Sequence, residues 1–259
     1  MALQLGRTVS DGVRRVLTRT GGILLAGLLA IQLLVQVSIN TAVVGLLPPQ
    51  AASELGETIG LTLPVSGTVA TGVFLVSVAF SAVYFVGLAR ALTRPVAELS
   101  TFPSELYTRR LGRATVSMLL GGVVVMLSVT IGLTFLILPG VFLAVCFLFF
   151  IFAVGVEDRG VVDALKRSWG LSRGNRLKLT VVVIGSGVIG TVTGAVGTVL
   201  DLAGSPIVAD LVSNAISSVL FVLLYGIMAS AYLQVQYDDQ RGFDGSVTPQ
   251  SMGNSVSDQ

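Results

Sequence analysis

The stretch Ala114 to Val156, ATVSMLLGGVVVMLSVTIGLTFLILPGVFLAVCFLFFIFAVGV, contains no charged residue. It is about twice as long as the roughly 20 apolar residues that one helical crossing of a bilayer requires. Pro139-Gly140 lies inside it, and Pro-Gly is a strong turn signal. Two spans joined by a tight hairpin is the natural reading. The flanking charges check it. Arg113 precedes the run, and Arg159 to Lys178 follow it. With a hairpin, both basic segments lie on one side of the membrane. Without one, every later loop would change sides.

Working outward, six segments are long and apolar enough to cross: Gly22 to Leu47, Ser66 to Leu92, Ala114 to Leu138, Gly140 to Val156, Leu179 to Leu200 and Leu211 to Tyr237. Pro48-Pro49 stops the first and Arg94-Pro95 the second. All sixteen Lys and Arg residues then fall on one side, in Arg7 to Arg19, Arg90 to Arg113, Arg159 to Lys178, and Arg241. The other side carries Glu54, Glu57, Asp201 and Asp210 and no base. Cytoplasmic loops retain Lys and Arg, which sets orientation. The expectation is an all-α membrane protein, six transmembrane helices in a bundle, multi-pass in the cell membrane with both termini cytoplasmic. Residues 1–21 read as a basic cytoplasmic segment, 22–237 as the membrane domain and 238–259 as a disordered cytoplasmic tail. The outer loop Pro48 to Val65 has room for a short amphipathic helix.

Composition agrees. Hydrophobic residues make up 53% of the chain and charged ones 12%, against about 25% charged in soluble domains. The net charge of +2 is too small to argue for nucleic acid. The chain has no histidine, so His-based acid–base chemistry, His metal ligation and His haem ligation are excluded. Cys146 is the single cysteine, which rules out an intrachain disulfide and reads as a buried, inert thiol. Gly185-x-Gly187-x-x-Gly190 mimics a nucleotide-binding loop, but it lies within a span rather than after a strand. No catalytic, cofactor-binding or metal-ligating residues emerge, and the chain reads as a non-enzyme without a cofactor.

The most distinctive local text runs Val156-Glu157-Asp158-Arg159 and on to Ala164-Leu165-Lys166-Arg167-Ser168-Trp169-Gly170-Leu171-Ser172-Arg173-Gly174-Asn175-Arg176. Val161, Leu165, Ser168, Trp169 and Ser172 share a helical face, with the charges mostly elsewhere. That is the pattern of a helix lying in the membrane interface, spanning about Asp163 to Leu171. Asp163 is placed to pair with Arg167 one turn on, and Gly174-Asn175 to end the helix. Arg159, Lys166, Arg167, Trp169, Arg173 and Arg176 form a candidate surface for anionic head groups or an unidentified protein partner. The alternative is that these cations serve orientation alone. Basic segments before the first, third and fifth spans also hint at three hairpin units, although any inner loop before a span is basic.

The Ala164, Leu165, Ser168, Trp169, Leu171, Gly174, Asn175 and Arg176 pattern resembles the membrane domain of glycerophosphoryl diester phosphodiesterases and related uncharacterised archaeal and bacterial membrane proteins. The resemblance covers about forty residues well, and the rest by span number. It implies a six-span bundle. In the fused enzymes the chemistry belongs to a separate soluble barrel with histidines and metal-binding carboxylates, so the catalytic name does not transfer to these residues.

Uncharged polar residues form a second pattern. Gln32, Gln36 and Asn40 recur at i, i+4 and i+8 in the first span, and Asn214 and Ser218 at i, i+4 in the sixth. Most fall in the outer half of the bilayer, where they would line a recess or hydrogen-bond between helices. Gly185, Gly187, Gly190, Gly194 and Gly197 give the fifth span a small-residue face suited to close packing within the monomer. Phe147, Phe149, Phe150 and Phe152 give the fourth span an apolar surface suited to lipid. The spans show no confidently internal ionisable residue. The functional expectation is a non-enzymatic membrane module organising lipid or a protein partner at the cytoplasmic face. The alternative is a transporter or channel for a small neutral or amphipathic solute, working through the recess.

Overall fold

The computed structural model describes residues 4–56, 59–101 and 110–246. Ten α-helices are formed among them: α1 Leu5–Val16, α2 Arg19–Leu46, α3 Pro49–Gly56, α4 Gly67–Leu92, α5 Leu111–Phe135, α6 Ile137–Phe147, α7 Phe150–Gly155, α8 Val161–Ser172, α9 Arg176–Leu202 and α10 Pro206–Ser246. Six helical segments are long and apolar enough to cross a membrane: α2, α4, α5, α6 with α7, α9 and α10. The all-α, six-span bundle is the observed architecture.

The spans close into a ring. The hairpins α2/α4, α5/α6 and α9/α10 each pack tightly, and α4 meets α5, α6 meets α9, and α10 returns to α2. Glycines set close approaches. A Cβ on Gly45 would meet Gly67 at 2.6 Å, and in the pair Gly12 and Gly226 a Cβ on Gly226 would meet the Gly12 carbonyl oxygen at 2.7 Å. The second pair seats α1 along α10. The amphipathic helices repeat one relationship: α1, which leads into the first hairpin, lies on the end of the third, and α8, which leads into the third, lies on the end of the second. The basic segments before the first and fifth spans thus have a structural counterpart beyond their charge, while the one before the third span lies largely outside the described residues.

The decisive hairpin turns three residues before Pro139. Leu136 is extended (φ −159°, ψ 138°) between α5 and α6, and Pro139 falls in the first turn of α6. There a missing N–H costs no intrahelical bond. A Cβ on Gly132 would meet the Gly140 Cα at 2.8 Å, so the glycine of Pro-Gly serves close approach. The spans accordingly run a few residues differently from hydropathy alone. α9 begins at Arg176 and α10 at Pro206, and α10 continues through the start of the expected disordered tail to Ser246. Residues 247–259 of that tail lie outside the described residues. The N-terminal segment folds as α1, and the loop after the first span holds α3.

Two packing expectations are corrected. In the fourth span Phe149, Phe150 and Phe152 face the core instead of lipid, while Phe142 is exposed and Phe147 half-buried. Phe149 and Phe152 are fully buried and Phe150 nearly so, and 44% of this span's apolar window is buried against 17–28% for the other five. A uniformly apolar helix suits lipid and core alike, so sequence does not separate the two. The fifth span does not use most of its glycines for close packing within the monomer; only Gly197, whose Cβ would meet the Ser213 hydroxyl at 2.8 Å, makes a close approach. A Cβ added to Gly185, Gly187, Gly190 or Gly194 would meet nothing within 4 Å, and Val181, Ile184, Val188 and Val192 are exposed.

The core is concentrated at the basic end. Leu24 and Leu28 of α2, Leu88 and Leu92 of α4, Phe149, Phe152, Leu179 of α9, and Val222 and Tyr232 of α10 form one cluster. Tyr232 stacks on Phe152 with ring centroids 5.1 Å apart.

Candidate functional site

The basic end is built on a break in the fourth span. The helix ends at Phe147 and resumes at Phe150, which turns Phe149 and Phe152 toward Tyr232. Ser168 of α8 bridges the break. Its hydroxyl donates to the Cys146 carbonyl at 2.8 Å and accepts from the Phe149 N–H at 3.1 Å. Backbone groups with no helical partner are thus satisfied by one side chain. Of the expected face of α8, Ser168 and Ser172 are buried and Val161, Leu165 and Trp169 half-buried, with Ala164 and Leu171 buried beside them.

The expected basic surface divides in two. Glu157 gathers one part: Tyr232 donates its hydroxyl at 2.8 Å, Arg167 donates at 3.1 Å, and Arg159 forms a close ion pair. Arg167 reaches on to Asp239 at 2.8 Å, not to Asp163. Burial alone would raise the Glu157 pKa; the bonds from Tyr232, Arg159 and Arg167 outweigh it and hold the carboxyl below its ordinary value. Arg176 lies over the rings of Phe142 and Trp169, 4.8 and 5.4 Å from their centroids. Trp169 meets Phe142 edge-on at 5.6 Å and lies near Phe147. Gly174 at φ +83° turns the chain into α9. Lys166 and Arg173 remain exposed.

Two further arginines were read only as topology markers. Both cap helix C-termini. Arg90, 9% exposed, donates to the Gly155 carbonyl at 2.7 Å and to Asp158 at 2.8 Å. Asp158 takes the left-handed conformation that commonly ends a helix (φ +51°). Arg15, also 9% exposed, donates to the carbonyls of Leu92 and Arg94 at 2.8 and 2.6 Å. Each puts a cation on the negative end of a helix dipole and satisfies carbonyls that lack an intrahelical partner.

Toward the acidic end, α2, α4 and α10 line a half-open cavity of about 380 Å³. Gln32, Gln36 and Asn214 line it, as do Ser81, Phe85, Asp210, Ser213 and Ser217. Of the other expected recess residues, Asn40 lies above it, accepting from Gln36 at 3.1 Å and donating to the Leu61 carbonyl at 3.2 Å. Ser218 is fully buried behind it and bonds Asn214 at 3.4 Å. Thr134, Thr191, Thr193 and Thr198 all donate to carbonyls of their own helices.

Asp210 is the residue that sequence reading placed in a loop. Helix α10 starts at Pro206, so Asp210 stands on its wall one turn before Asn214. Its carboxylate accepts from the Leu61 N–H at 3.1 Å, and the Leu63 N–H donates to Thr41 at 2.7 Å. These bonds tie residues 59–65 to α2 and α10. The signal was available: Asp210, Asn214 and Ser218 share one helical face at i, i+4 and i+8.

Fold and site together define a multi-pass α-helical membrane protein with a filled basic end and an open polar recess toward the other. The chain belongs to the family described as Domain of unknown function (DUF7847), whose model matches residues 3–235. No curated protein and no solved structure matches it.

Proposed function

We propose that this is a non-enzymatic module of the cell membrane whose basic end faces the cytoplasm and engages anionic lipid head groups. The observation that carries the reading is the asymmetry of packing. Leu24, Leu88, Phe149, Phe152 and Tyr232 fill the basic half with an apolar core, so the polar recess does not continue through the bundle. A one-sided recess does not suit a channel. The basic end, by contrast, presents Arg7, Arg14, Arg19, Lys166 and Arg173 to solvent. Each cation close to an anionic surface contributes about 1 kcal/mol.

The test is to replace with Gln Lys166 of α8 and Arg173 just after it, two cations that hold nothing together among the described residues. The double variant is expected to fold like the parent and to co-purify with several-fold less phosphatidylglycerol or other anionic lipid. Equal anionic lipid in parent and variant contradicts the reading. A second reading, a solute-binding protein, is favoured by the 380 Å³ cavity.

A further inference from the structure

We infer that the cavity between α2, α4 and α10 binds a small organic cation, an amine or quaternary ammonium with an apolar body. Its volume of about 380 Å³ lies in the range of small-molecule sites, roughly 300–1,000 Å³. Its walls are unequal. Leu28 and Phe85 lie at the deep end, toward the apolar core, while Gln32, Ser213 and Ser217 supply polar groups and Asp210 lies nearest the acidic end. Gln32, Ser213 and Ser217 have no hydrogen-bond partner among the described residues, and the Ser213 hydroxyl oxygen is buried.

Charge selects the ligand class. Among the described residues, Asp210 is the only ionisable one lining the cavity, and every described Lys and Arg lies toward the opposite end of the bundle. Its described hydrogen bond is to a neutral donor, the Leu61 N–H. A carboxylate in a weakly polar setting favours an ammonium through charge-assisted hydrogen bonds, and the Phe85 ring adds a face suited to a cation. Anions are repelled. A bare metal ion is a poor match, because the cavity holds many times the roughly 30 Å³ share of one water molecule. An apolar body against Leu28 and Phe85 fills that space.

The full-length protein, purified in a non-ionic maltoside, is titrated with benzylamine, benzyl alcohol and benzoate. Benzylamine is expected to bind saturably, with benzyl alcohol weaker by about tenfold or more and benzoate not binding. Asp210→Asn keeps an oxygen for the Leu61 N–H and removes only the charge. It is expected to weaken benzylamine by about tenfold while eluting as the parent does. No saturable benzylamine binding, equal affinity for benzyl alcohol, or full affinity in a folded Asp210→Asn protein overturns the inference. Displacement of benzylamine by equimolar potassium chloride also overturns it, in favour of an inorganic ion. The comparison of benzylamine with benzyl alcohol needs no variant and stands even if Asp210→Asn does not fold.

Discussion

Ser168 donates its hydroxyl to the carbonyl of Cys146 across 2.8 Å, at the point where the fourth span breaks. A residue of the helix at the basic end thereby completes the backbone of a membrane span. Removing that hydroxyl leaves a carbonyl and an N–H buried without partners. Ser168→Ala is expected to cost about 1–3 kcal/mol, read as a lowered thermal unfolding midpoint in detergent. Unchanged stability in Ser168→Ala would show that the break needs no bridge.

The Arg90–Asp158 pair is 9% and 7% exposed and joins the ends of two spans. Breaking one side of such a buried pair costs about 3–5 kcal/mol. Arg90→Gln is therefore expected to be among the most destabilising substitutions at the basic end, well beyond Arg173→Gln, whose side chain is exposed. Similar losses in the two variants, measured by unfolding midpoint, would contradict the bracing role.

Glu157 links stability to pH. Its pKa in the folded protein lies below the ordinary value, about 4.3 in the unfolded chain. The network's contribution is therefore complete above the unfolded pKa and disappears as pH falls through the folded one. Unfolding midpoints are expected to fall between about pH 5 and pH 3, and Glu157→Gln is expected to flatten that decline. An equally steep acid decline in the variant assigns the effect to other carboxylates.

The glycines separate into two groups that stability measurements distinguish. Gly12→Ala sets a methyl group against the α10 backbone and is expected to undock α1. A cysteine introduced at Thr8, buried in the parent, then becomes reactive to thiol reagents. Gly190→Ala and Gly194→Ala meet open space and are expected to be neutral or to stabilise by up to about 1 kcal/mol. A large loss at Gly190 would point to a partner on the α9 face.

Much of the architecture was legible because hydrocarbon imposes a length and a charge rule that act on sequence directly. Pro48-Pro49, Arg94-Pro95 and Pro139-Gly140 punctuate spans whose lengths are set by the bilayer. Which face of each span is buried was not legible. Phe149 meets core and Leu138 meets the outside, yet lipid and protein interior are equally apolar. The Gly190/Gly194 pair failed for a related reason, since small residues permit close packing without requiring it. Of the recess, Gln32, Gln36 and Asn214 were readable from their spacing. Asp210 was not placed there, because a start at Leu211 left it outside the helix that begins at Pro206. Arg167 was assigned to Asp163 by helical spacing, but in the structure it pairs with Glu157 and Asp239.

Membrane sidedness underlies the whole account, and thiol labelling of intact cells tests it most directly. Cys146 is fully buried, so the parent protein supplies a silent background. Ser53→Cys, on the exposed surface of α3, is expected to react with a membrane-impermeant maleimide added outside. Lys166→Cys, on α8, is expected to react only after permeabilisation. Labelling of the Lys166→Cys protein from outside intact cells would contradict a cytoplasmic basic end and the lipid-engaging role built on it.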